Sequence, residues 1–148
     1  MTEWFLPANP SSACWLSRLT GPPKALQRLS PRPAGRCFYC RRGLRDDAEV
    51  DHFVPWAGYP DNGIDNLVVA DRRCNGHKRE HLAAAEHVEA WSRRMEEGHT
   101  ELEEIAARAH WSQQRERTLA IARSIYLRLP STARLWLQRS EFVKVERS

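Results

Sequence analysis

An α+β fold, built as a ββα unit with appended helices, is predicted by three observations. Two short Val-rich stretches, residues 49–53 and 67–70, flank a loop too long for a tight hairpin turn. Beyond residue 75 the apolar residues switch to helical spacing. A Cys-x-x-Cys pair, Cys37 and Cys40, stands just ahead of the first stretch.

The elements follow in order. Residues 1–35 carry Pro7, Pro10, Pro22, Pro23, Pro31 and Pro33, so no long helix survives there. Residues 23–29 can form one short helix, and Trp4, Phe5, Trp15 and Leu16 predict an arm packed on the domain. Residues 36–98 hold the knuckle, the two strands and a helix from Asn75 to about Glu97 with Ala84, Val88, Trp91 and Met95 inward. Gly58, Pro60, Asp61, Asn62 and Gly63 mark the loop between the strands. Gly98 fits a helix C′ position, and Thr100 with Glu103 forms a capping-box pattern. Residues 99–148 are expected to be a helical extension. Leu102, Ile105, Ala109, Ala122, Ile125 and Leu129 line one helix that Pro130 ends. Ser131 then caps a short helix with Leu135 and Trp136, and Phe142, Val143 and Val145 close the chain as an edge segment. The whole is expected to be one compact domain.

The net charge of +4 is a mild bias, but its distribution is informative. Arg32, Arg36, Arg41, Arg42 and Arg45 surround the Cys pair; Arg72, Arg73, Lys78 and Arg79 surround Asn75. Cations gathered beside a site fit a phosphate-bearing partner. No run approaches the roughly 20 apolar residues of a membrane span, and the first residues do not form a secretory signal. A reducing cytoplasm is the expected setting, where Cys-x-x-Cys means metal or redox chemistry.

Asp51 and His52 are the first candidates for chemistry. Aspartate is a hard oxygen donor suited to Mg²⁺ or Mn²⁺, and histidine takes a proton from water near neutral pH. Neighbours on a strand point to opposite faces, so both serve one site only at a twisted or bulged strand end. Asn75, at the start of the helix, offers a neutral oxygen ligand, or a helix cap. Lys78, one turn on, can meet a phosphate with Arg73 and Arg79. Asn66, at the loop's end, can tie the loop backbone and so orient His52. His77 and His81 share a helix face, and with His87 are expected to be solvated. Trp56 is expected to floor the loop, and Trp91, Trp111 and Trp136 to be core.

Cys37 and Cys40 have zinc-knuckle spacing, and a structural zinc needs four ligands. Cys74 supplies a third. The fourth is Asp71, three residues before it, or His77, three residues after. Cys14 is expected to be a buried apolar residue, and a redox role for the pair is disfavoured.

Together CFYC (37–40), VDHFVPW (50–56), DNLVVA (65–70) and CNGHK (74–78) resemble the HNH endonuclease family in its zinc-knuckle form. The resemblance implies a ββα-metal fold and cleavage of DNA with one divalent ion. On it, Asp51 and Asn75 hold the ion, His52 is the general base, and Asn66 supports His52. The departure is Asp71, where that form usually carries Cys or His. No evident recognition helix is present, so sequence preference is expected to be weak or supplied by a partner protein. A non-catalytic zinc-stapled module binding nucleic acid or protein is the alternative, and a toxin or defence effector would share the nuclease chemistry.

Overall fold

The computed structural model describes residues 35–45 and 48–145. The expectations for the arm, its short helix and Cys14 lie outside the described residues. The chain enters through a tight knuckle, closed by Cys37 N donating to Arg42 O (2.8 Å) and Arg41 N to Cys37 O (3.0 Å). Arg41 takes a left-handed conformation (φ 62°), which lets the second cysteine turn back toward the first. Phe38 N donates to Val69 O (2.9 Å) and so fastens the knuckle to the sheet.

Two antiparallel strands follow, β1 (Glu49–His52) and β2 (Leu67–Ala70), paired from Glu49↔Ala70 to His52↔Leu67. All of β2 is buried, as its Leu-Val-Val-Ala run requires. The long loop between them ends in a 3₁₀ turn at Ile64–Asn66. Helix α1 (Arg72–Lys78) starts on Asp71, whose carboxylate caps Cys74 N at 2.9 Å.

Here the structure departs from the predicted single helix. Helix α1 stops at Arg79 (φ 48°), and α2 (Ala85–Glu97) begins anew. Between them the backbone pairs with Trp136: Trp136 N donates to Leu82 O and Ala84 N to Trp136 O, both at 2.8 Å. Those partners replace the intrahelical bonds that the apolar spacing suggested. The second predicted helix also divides, into α3 (His99–Ala109) and α4 (Arg115–Leu127), broken at left-handed His110 (φ 51°). Gly98 joins α2 to α3, and any Cβ there would lie 2.8 Å from Arg94 O. The capping box fails because α3 begins at His99, which puts Thr100 inside the first turn. The expected last helix is instead a hairpin, β3 (Arg134–Gln138) and β4 (Glu141–Lys144). Leu135 and Trp136 are buried in that strand pair, so the extension is not all helical.

An aromatic core joins these parts. Phe53 stacks on Trp91 (4.5 Å between centroids), and Tyr39 meets Trp136 edge-on at 5.1 Å. Trp91 donates its indole N–H to Asp65 O (3.0 Å), so a polar handle goes with the buried ring. Among the described residues no helix is long and apolar enough to cross a membrane.

Candidate functional site

Strand alternation decides what faces what. The ladder between β1 and β2 runs in unbroken register to His52, without the bulge that would turn Asp51 and His52 to one side. Glu49 and Asp51 therefore face α1, while His52, the last residue of the strand, faces the loop.

On the α1 side Asn75 Nδ2 donates to Glu49 Oε2 (2.7 Å). Asp51 is buried, at 7% exposure. Its Oδ2 accepts from the Tyr39 hydroxyl and pairs with Lys78 Nζ at 3.0 Å. The same ammonium donates to His52 O at 2.9 Å and lies over the Tyr39 ring. One cation thus holds a carboxylate and the backbone of the neighbouring histidine. Lys78 was expected at the surface to meet a phosphate; it is instead fully buried, at 0% exposure, because it points inward between α1 and β1. Arg73 and Arg79, the other two expected phosphate contacts, are exposed on α1 and at its end.

On the loop side His52 Nε2 lies 2.7 Å from Asn62 Oδ1. The Trp56 ring stands edge-on to the imidazole at 5.3 Å. Trp56 was expected to floor the loop, yet it is 37% exposed and flanks His52. Asn66 ties the loop as expected. Its Oδ1 accepts from Val54 N (2.9 Å), and its Nδ2 donates to Val54 O (3.1 Å) and Asp61 O (3.2 Å). Asn66 is fully buried and so acts on the backbone that leads away from His52, while Asn62 reaches the ring. Beside it, burial raises the Asp65 carboxyl, against the opposing hydrogen bond from Gln114 N and the charge of Arg94.

The cysteine cluster forms a second site. The ligand atoms of Cys37, Cys40, Asp71 and Cys74 all lie within 4.8 Å of one another. A tetrahedral zinc with Zn–S near 2.3 Å sets its sulfurs about 3.8 Å apart, so the spacing fits one ion. Asp71 Oδ2 accepts from the Cys40 thiol at 3.0 Å while Oδ1 caps α1. The Cys74 hydrogen bond lowers Cys37 to about 6. Burial, then the bond to Asp71, pushes Cys40 up to about 11. Cys74 is driven far up by its bond to Cys37 and by burial. Burial alone would raise Asp71, but hydrogen bonds from the Cys40 thiol and the Cys74 amide outweigh it and hold the carboxyl well below the usual range. Such a group titrates as a unit, and its sulfurs carry full negative charge together only around a cation. His77, the competing fourth ligand, is exposed on α1 and is not among the clustered residues.

His81 is exposed, as expected, edge-on to Phe142. His87 was expected to be solvated and is buried: its Nε2 lies 2.7 Å from Leu137 O and its ring stacks on Trp136. Sequence reasoning also missed Tyr39, Glu49 and Asn62 at the site. Glu49 was within reach, two residues from Asp51 on the same strand face. Tyr39 and Asn62 carried no such signal, since a knuckle and a loop have no periodicity to read.

Residues 37–84, about a third of the chain, match the family model described as HNH endonuclease. No curated protein and no solved structure matches the chain.

Proposed function

We propose, from the premise that residues 37–84 are an HNH endonuclease domain, that this chain is a metal-dependent endonuclease hydrolysing DNA phosphodiester bonds. The reading rests most on the junction of β1 with α1, where Lys78 grips both Asp51 and the backbone of His52. Asp51 faces α1 and His52 faces the loop, with no bulge to turn them to one side. What supports the reading is that Lys78 ties both at the same end of the ββα unit, where a scissile phosphate would meet them around the strand's end.

The donor set fits the ion. Asn75 gives its nitrogen to Glu49, which turns its Oδ1 away as a free acceptor. Both contacts of Asp51 end on Oδ2, which leaves Oδ1 for a cation. Asp51 and Asn75 would hold Mg²⁺ or Mn²⁺, which when bound supplies positive charge for the phosphoryl oxygens and the departing 3′ oxygen. His52 takes the proton from the water that attacks phosphorus in line with that leaving oxygen. The phosphorus–O3′ bond breaks and O3′ takes a proton from solvent, leaving a 5′-phosphate and a 3′-hydroxyl. Arg73 and Arg79 meet flanking phosphates, and Asn66 keeps the loop in place. The Cys37, Cys40, Asp71 and Cys74 cluster holds Zn²⁺ as a structural staple. One imidazole serves one strand at a time, so a nick precedes a double-strand break. Clustered free thiols suit a reducing cytoplasm, and a partner protein would supply target specificity.

Supercoiled plasmid with Mg²⁺ or Mn²⁺ tests this directly, with single-stranded DNA and RNA in parallel. His52→Ala should slow nicking ~10²-fold or more, the worth of a general base. Nicking by His52→Ala at the wild-type rate would overturn the assignment. Salt-sensitive binding to DNA without any cleavage would favour the non-catalytic module instead.

A further inference from the structure

The loop beside His52 is stitched to the connection between α3 and α4. Trp111 donates its indole N–H to Asn62 O at 2.8 Å. Ile64 N donates to Ser112 O at 3.0 Å, and Gln114 N to Asp65 Oδ2 at 2.8 Å. The three donors and acceptors on the far side, residues 111–114, lie beyond the matched segment, which ends at residue 84. The residue held most directly, Asn62, presents its Oδ1 to His52 Nε2 at 2.7 Å.

A neutral imidazole carries one N–H and one lone pair, and the partner of one nitrogen fixes which is which. A carboxamide oxygen only accepts. With Oδ1 at 2.7 Å, the hydrogen sits on Nε2 and the lone pair on Nδ1. Asn66 does not do this work: its amide meets the Val54 and Asp61 backbone groups, and it is Asn62 that reaches the ring.

We infer that Asn62 and Trp111 are positioning residues for the base: Trp111 fixes Asn62, and Asn62 holds His52 as the Nε2–H tautomer with Nδ1 free to take a proton. The C-terminal extension is thereby part of the catalytic apparatus, not only a support for the fold. This rests on the nuclease reading given above. The step is balanced: water gives its proton to Nδ1, its oxygen bonds phosphorus as the phosphorus–O3′ bond breaks, O3′ takes a proton from solvent, and the Nε2–H bond is unbroken throughout. Trp111 contributes no group to the substrate. Its effect passes through the Asn62 backbone, so it should be smaller than that of Asn62.

The test combines cleavage kinetics with ¹⁵N spectra of the histidine rings, the His52 signals being identified by their loss in His52→Ala. In wild type the neutral ring should be the Nε2–H tautomer. Asn62→Ala should mix the tautomers and lower kcat about tenfold to a hundredfold with KM little changed, as loss of an orienting partner does. Trp111→Phe keeps an aromatic ring at the position and removes the donor; a several-fold fall in kcat is expected. It carries the test should Asn62→Ala fail to fold, which thermal unfolding reports. An Nδ1–H tautomer in wild type, or an unchanged tautomer and kcat in both variants, would overturn the inference. Wild-type cleavage by His52→Ala would overturn His52 as the base and the positioning role with it, whereas no cleavage by wild type would overturn the nuclease reading; the ring spectra would still decide whether Asn62 sets the tautomer.

Discussion

Lys78, Arg73 and Arg79 look alike in the sequence: three cations around one helix, each able to meet a phosphate. Their surroundings separate them. Lys78 is sealed inside, bound to Asp51 and to His52 O, while both arginines are exposed. Removing one partner of a buried ion pair strands the other charge and costs about 3–5 kcal/mol. Lys78→Met should therefore lower the urea midpoint sharply, whereas Arg73→Ala and Arg79→Ala should shift stability by less than about 0.5 kcal/mol. The arginine variants should instead weaken DNA binding and shallow its salt dependence by about one unit of slope each. A Lys78→Met protein as stable as wild type, with only its DNA affinity reduced, would return Lys78 to the surface role. The residue types were legible in the sequence. Their directions were not, because a helix as short as Arg72–Lys78 has too few apolar positions for spacing to say which face turns inward.

At the scale of elements, the knuckle and α1 are joined through Asp71, which caps the helix with one oxygen and meets the cysteine cluster with the other. The spacing Cys37, Cys40, Asp71, Cys74 was readable as two half-sites, although it left His77 as a rival. The structure gathers Asp71 rather than His77 with the thiols: the N-cap geometry turns Asp71 toward them, while His77 sits in the last turn of α1 and is exposed. Purified wild type should carry one zinc per chain by atomic absorption, and His77→Ala should carry the same. Asp71→Ala should lose both the metal and the cap, the cap alone being worth about 1 kcal/mol. Chelation of wild type should lower Tm, and re-addition of Zn²⁺ should restore it. Equal zinc content in Asp71→Ala and wild type would remove Asp71 from the ligand set. The helix breaks at Arg79 and His110 were not readable, since apolar spacing continues past both and the conformations that stop the helices are set by what packs there.

Over the whole molecule, the part hardest to foresee is the one that closes the core. Leu135 and Trp136 suit a helix as well as a strand, and Ser131 is a fair helix cap; only the partner chosen for their backbone decides. That partner is the 82–84 segment, which Trp136 bonds on both its N–H and its C=O. The indole is fully buried against Tyr39 and His87, and its Nε1 donates to Arg139 O. The C-terminal hairpin thus reaches the knuckle through one ring, and the Tyr39 it packs against is the residue that donates to Asp51. Trp136→Ala should cost about 3–5 kcal/mol, as deleting a large buried aromatic does. That is a large share of the roughly 5–15 kcal/mol typical of a domain. The same variant should also loosen Asp51, so at temperatures where it remains folded it should need more Mg²⁺ for half-maximal nicking. Phe at this position keeps most of the packing and should recover much of both losses. A Trp136→Ala protein that unfolds at the wild-type urea midpoint would mean the hairpin is an appendage, and the path from hairpin to the Asp51 carboxylate would fall with it.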